Sequence, residues 1–182
     1  MFRKLIFDYA RKCKEKLPNG SRVYGSLRNR NDVKGLVIHY TGGTKDTAKN
    51  ECDFFATGID RQASAHIFID YEGLTGRSLP LNRIAFSVGN PNGAYKKGSY
   101  YAMLSNANTV SIELCAISGR PVSAKQKKAL LKVCKWVKKK CPNIKYVVRH
   151  YDIVQKNCPE WYVEHSKDWL KLQSEIMTAI GV

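Results

Sequence analysis

Short apolar runs rich in β-branched residues recur along this chain, and stretches of helical spacing separate most of them. That alternation confines the fold to a layered α/β arrangement. Gly35-Leu36-Val37-Ile38 opens the first run, which ends at His39 and Tyr40 before Gly42-Gly43. SAHIFID, residues 64–70, places Ala65, Ile67 and Ile69 on one face and Ser64, His66, Phe68 and Asp70 on the other, the period of a strand. The Tyr71-Glu72-Gly73 turn then leads into a partner strand over 74–79, completing a hairpin. Further strands are predicted over 109–115 (TVSIELC) and 145–150 (KYVVRH).

A first helix is predicted over 2–17, where Leu5, Ile6, Tyr9, Cys13 and Leu17 share helical spacing ahead of the Pro18-Asn19-Gly20 turn. A second covers 44–57, with Thr44 as N-cap and Gly58 as stop. Ser123 to Cys141 has the strongest 3.6-residue period, with Leu130, Val133, Cys134, Val137 and Cys141 on one stripe and eight lysines mostly off it. A closing helix runs from about Trp161 to Ile180. The expected architecture is one domain over 1–182, a mixed β-sheet with helices on both faces. Between Pro80 and Asn108 no period persists, and long irregular segments in compact domains tend to be functional.

Among the 182 residues, 31 Lys or Arg oppose 15 Asp or Glu, a formal net charge of +16. A surface this cationic seeks polyanions, whether nucleic acid, anionic lipid or an acidic wall polymer. No helix-turn-helix, zinc-knuckle or RNA-recognition signature accompanies the charge, so no nucleic-acid partner is expected. The opening MFRKLIFDYARKCKEK lacks a signal-peptide h-region, and no apolar run reaches the ~18 residues of a membrane span. The six cysteines form no CxxC pair, which favours reduced thiols in a protein made in the cytoplasm.

His39 and His150, two of only four histidines, close apolar strands, and Cys158 follows His150 by eight positions. Two imidazoles and a thiolate are donors that zinc favours, and three protein ligands leave a fourth tetrahedral position open, as in catalytic sites. Taken singly, a strand-end His is more often structural and a lone Cys is usually a small buried hydrophobe. Glu113 shares a strand face with Ser111 and Cys115, where a charged group costs energy unless it is paired or faces a cleft.

GLVIHYTGG, SAHIFID, NANTVSIELC and RHYDIVQKNCPEW resemble, in order and spacing, the zinc-dependent N-acetylmuramoyl-L-alanine amidases of the type-2 family. That family includes phage endolysins, autolysins and recycling amidases and is similar to peptidoglycan recognition proteins. The resemblance runs from about Arg22 to Trp161. It implies an amidase-like fold and Zn2+ held by His39, His150 and Cys158. It further implies Glu113 as acid/base residue and Lys156 as the cation that steadies the tetrahedral intermediate. His66, Tyr40, Ser87 and Asn108 would contact substrate, His66 either directly or by supporting the metal centre. The sequence departs from the family pattern at Ala65, where many members carry Tyr, and at Ser87, where many carry His.

The implied reaction is cleavage of the amide between N-acetylmuramic acid and L-Ala in peptidoglycan, by a monomer. High positive charge favours an endolysin released to the wall, with anionic wall polymers as a second partner, over a cytosolic muropeptide-recycling amidase. A peptidoglycan-binding module without turnover is the alternative that Ser87 suggests. The lysine-rich helix reads as a solvated face before it reads as a wall-targeting patch.

Overall fold

The computed structural model describes residues 6–89 and 93–182. Six strands build the central sheet: β1 (Tyr9–Ala10), β3 (Gly35–Tyr40), β4 (Ile67–Ile69), β5 (Thr75–Arg77), β7 (Thr109–Leu114) and β8 (Tyr146–Arg149). Their spatial order is β1-β5-β4-β7-β3-β8, while β2 (Tyr24–Leu27) and β6 (Arg83–Ala85) form a separate antiparallel ribbon. β3 lies parallel to both β7 and β8, and β7 is parallel to β4. Among the described residues only β4 and β5 pair antiparallel within the main sheet, as the hairpin reading requires.

Side chains alternate across a strand, so register decides which residues meet. Leu36, Ile38, Ile67, Ile69, Val110, Ile112 and Leu114 fill one face, packed on α2 (Ala124–Lys140) and α5 (Ser166–Ile180) through Leu130, Val133, Val137, Trp169, Leu172 and Ile176. Ser123 caps α2 by accepting from the Gln126 N–H, and the buried Gln126 amide donates to the carbonyls of Ile69 and Cys115. The opposite face is covered in two parts. Ala48 and Cys52 of α1 (Ala48–Asp53), with Phe55 beyond it, pack on Phe68. Val88, Leu104 and Ile153, from irregular segments and the short α3 (His150–Ile153), cover Val37 and Val148. A cleft opens between these two covers.

Three predicted helices differ from the structure. Residues 6–17 are extended, not helical, and residues 2–5 of that expectation lie outside the described part. Tyr9 and Ala10 pair in parallel with Gly76 and Arg77, and the N–H groups of Asp8, Arg11 and Cys13 donate to the carbonyls of Thr75, Arg77 and Ser78. An otherwise open sheet edge thereby gains partners. Tyr9, Cys13 and Leu17 face one cluster while Ile6 and Phe7 face another, a division that helical spacing does not reveal. The helix predicted from Thr44 starts instead after Thr47, which caps Asn50, because the Asp46 carboxylate bonds Thr41 and the Ala116 N–H; its last turn widens into a π turn over Phe54–Gly58. The closing helix divides at His165 into α4 (Glu160–Glu164) and α5. There the His165 ring stacks on Trp161 at 3.7 Å and Nδ1 reaches the Trp161 carbonyl.

Candidate metal centre and cleft

Parallel pairing aligns His39 of β3 with Glu113 of β7, and Glu113 with Phe68 of β4, all on the loop-covered face. At the end of β8 the chain turns sharply, and His150 is the first residue of α3 rather than the last of a strand. Arg149 makes that turn. Its N–H and guanidinium bond Asp152, at 2.8 and 2.6 Å, another guanidinium nitrogen donates to the Tyr162 carbonyl, and the group lies over the rings of Tyr151 and Trp169. Tyr151 N–H then donates to the Cys158 carbonyl at 3.0 Å, closing the loop and returning Cys158 beside His150.

His39, His150 and Cys158 are buried, and one candidate ligand atom from each lies within 4.8 Å of the others. The thiol is 3.8 Å from His39 Nδ1, and the two imidazole centroids are 4.8 Å apart. A tetrahedral ion with bonds of ~2.0–2.3 Å spans its ligands at roughly 3.3–3.8 Å, so the donors are close to the separation an ion needs. His39 Nε2, His150 Nε2 and Glu113 Oε2 are buried without a hydrogen-bond partner, each at a cost of ~1–3 kcal/mol. These three unpartnered atoms belong to residues that line one cleft. His150 also donates to the Gly89 carbonyl, the kind of contact that fixes a ligating imidazole.

The electrostatics agree. Desolvation, then the neighbouring His150 and Lys156, holds His39 well below the ordinary imidazole range; desolvation followed by Lys156 lowers His150 to about 4. Both rings are therefore neutral near pH 7, the form that coordinates metal. Burial pushes the Cys158 thiol up, against the Tyr40 backbone N–H and Lys156, which favour its anion. Desolvation raises Glu113 to about 8, opposed by Lys156 and reinforced by Glu51 and Asp46.

The cleft over these residues has a volume of about 180 Å³. Tyr40, Ser87 and Lys156 line it; the backbone N–H groups of Ser87 and Val88 are held by Asn106 Oδ1 at 2.9 and 2.8 Å. His66 and Asn108 do not reach it. His66 is fully buried, with Nε2 donating to the Arg83 carbonyl and Nδ1 accepting from the Ser111 N–H, so it supports the β7 face behind Glu113. Asn108 caps the turn at the opposite, amino-terminal end of β7, bonding Ser105 N–H and the Met103 carbonyl. Glu51, Phe54, Phe55, Arg61 and Phe86 are also among the lining residues and were missed. Their one sequence signal was a carboxylate at 51 on the same helical side as the rings at 54 and 55.

The irregular 93–104 stretch braces the ligand loop. Gly98 and Tyr100 N–H groups donate to the carbonyls of Ile153 and Asp152, and the Gln155 N–H donates to Lys96. A Cβ at Gly98 would collide with the Asp152 carbonyl oxygen. Gly98→Ala is therefore expected to cost ~1–3 kcal/mol of stability by overpacking and to weaken zinc affinity about tenfold or more. Thermal melting and zinc titration against a chelator check this; wild-type zinc affinity in the variant would show that the brace does not act on the ligands.

The profile of the N-acetylmuramoyl-L-alanine amidase family matches residues 29–161. N-acetylmuramoyl-L-alanine amidase CwlL of Bacillus licheniformis is 30% identical over 154 residues, covering 82% of this chain and 42% of that protein. N-acetylmuramoyl-L-alanine amidase BlyA of Bacillus subtilis (strain 168) is 30% identical over 155 residues, covering 79% of this chain and 41% of that protein. The chain thus spans about two fifths of the length of these relatives. In fold it is similar to PlyL, with a TM-score of 0.66 at 19% identity over 91% of this chain and 96% of that one. The catalytic domain of XlyA superposes with a TM-score of 0.62 at 18% identity, over 92% of this chain and 98% of that domain.

Proposed function

The chain belongs to the N-acetylmuramoyl-L-alanine amidase family, and from that premise we propose that it hydrolyses the amide joining the lactyl group of N-acetylmuramic acid to L-Ala in bacterial peptidoglycan. The observation that carries the reading is the meeting of His39, His150 and Cys158 with Glu113 in one cleft.

Hydrolysis of an unactivated amide needs an activated water, a sink for oxyanion charge and a proton for the leaving amine. Zinc held by His39, His150 and Cys158 would supply a Lewis acid and lower the pKa of a bound water to ~7. Glu113 accepts the proton of the attacking water and returns it to the departing L-Ala nitrogen, a double duty suited to a carboxyl whose pKa burial raises to about 8 while Lys156 opposes the rise. The Lys156 ammonium, on the cleft wall, offsets the negative charge that develops on the carbonyl oxygen. Tyr40 and Ser87 bound the space where the sugar and peptide meet.

Zinc-loaded protein incubated with purified peptidoglycan should release free L-Ala amino termini. Reducing sugar ends in their place would mean a different bond, and wall binding with no cleavage would select a binding module.

The site of action is the cell wall. Among the described residues no helix is long and apolar enough to cross a membrane. α2 carries no acidic residue, and Lys128, Lys132, Lys135 and Lys139 line a groove of about 670 Å³ with Leu131 and Trp136, on the sheet face away from the cleft. This basic groove complements anionic wall polymers. Because the Debye length shrinks from ~30 Å at 0.01 M salt to ~3 Å at 1 M, retention on isolated walls is expected to fall severalfold over that range in a sedimentation assay. Salt-independent retention would discount the groove.

A further inference from the structure

Asn106 does not line the cleft, yet it holds part of the cleft's frame. It opens the 106–108 turn before β7, and its Oδ1 accepts from the N–H groups of both Ser87 and Val88. An amide oxygen has two lone pairs, so one Asn can hold two successive peptide groups in a fixed relation. Among the described residues these two N–H groups bond nothing else. The turn is itself fixed from the other side. The Arg28 guanidinium donates to the carbonyls of Asn106 and Ala107, each at 3.0 Å, and to that of Leu81 at 3.2 Å.

One residue past Val88, the Gly89 carbonyl accepts from His150. His150 Nε2 has no partner, so the ring makes that bond through Nδ1. A proton fixed on Nδ1 leaves the lone pair on Nε2, and a hydrogen bond on the far side of a ligating ring sets its orientation. The Val88 side chain is buried in one cluster with Val37 and Leu104, which anchors the segment but leaves the direction of its peptide groups to hydrogen bonds. We infer that Asn106 is a positioning residue for the metal centre: its carboxamide fixes the Ser87-Val88 backbone and, through it, the Gly89 carbonyl that orients His150. The inference rests on the zinc reading of His39, His150 and Cys158 and deepens it by a residue that touches neither ion nor substrate.

The test uses the full chain with Asn106→Ala, which removes the acceptor, and Asn106→Asp, which keeps it, each studied below its melting temperature. In competition against a chelator, zinc affinity should fall about 10–100-fold in Asn106→Ala and stay close to wild type in Asn106→Asp. The visible absorption of the cobalt-loaded protein, which reports ligand geometry, should change in Asn106→Ala alone. A lower melting temperature with wild-type zinc affinity and cobalt spectrum would reduce Asn106 to a structural role and overturn the inference; so would an equal loss in both variants. Long-range proton–nitrogen spectra of the metal-free protein at neutral pH give a readout that does not need the ion. There the wild-type His150 ring should be a single Nδ1–H tautomer and the Asn106→Ala ring a mixture, and the same tautomer in both would count against the relay. If the wild type takes up no zinc, the metal reading fails, and the tautomer still decides whether Asn106 orients His150.

Discussion

Cys158→Ala is expected to reduce zinc from about one ion per chain to background, because an open site held by three protein ligands loses one of them and its only sulfur. The backbone should stay in place. Tyr151 N–H holds the Cys158 carbonyl and the Cys158 N–H donates to the Lys156 carbonyl at 2.7 Å, neither through the side chain. The expected loss in affinity exceeds the ~10–100-fold typical of removing a group that only orients a ligand, and amide hydrolysis falls with it. Elemental analysis and a zinc titration, set beside a circular dichroism spectrum unchanged from wild type, distinguish ligand loss from unfolding. Unaltered zinc content would remove Cys158 from the ligand set.

Glu113→Gln separates chemistry from metal binding. Glutamine keeps the shape of the side chain opposite His39 and Phe68 but cannot take a proton from water. A positioned acid/base group contributes typically 10²–10⁴-fold, so kcat should fall by about that factor while zinc content and peptide affinity hold. A variant with wild-type kcat would transfer the acid/base role elsewhere in the cleft. The orphaned Oε2 of Glu113 belongs to this argument, since a buried oxygen with no partner is poised for a reacting group.

Much of the fold was legible because local patterns and tertiary environment agreed. The Ser123 to Cys141 period became α2 with Ser123 as its cap, and SAHIFID became the buried β4 of a hairpin. The opening segment misled for a physical reason. Its apolar residues recur at helical spacing, yet the β5 edge offers carbonyls at Thr75, Arg77 and Ser78 that an extended chain can reach and a helix cannot. His66 and Asn108 were legible as members of motifs but not as members of the cleft. Strand parity does not say that His66 is spent on Arg83 and Ser111, and order along the chain does not say that Asn108 sits at the far end of β7.

Periodicity alone determined the class of layered fold, because it is a property of short segments, whereas the donor set of two imidazoles and a thiol was singled out by the resemblance of whole motifs to the amidase family. Only tertiary structure decided that the three donors converge, that Glu113 and Glu51 face one another's space, and that Gly98 holds the ligand loop. Those juxtapositions depend on parallel register and loop packing between residues far apart in the chain, and no local propensity encodes a distance across a sheet.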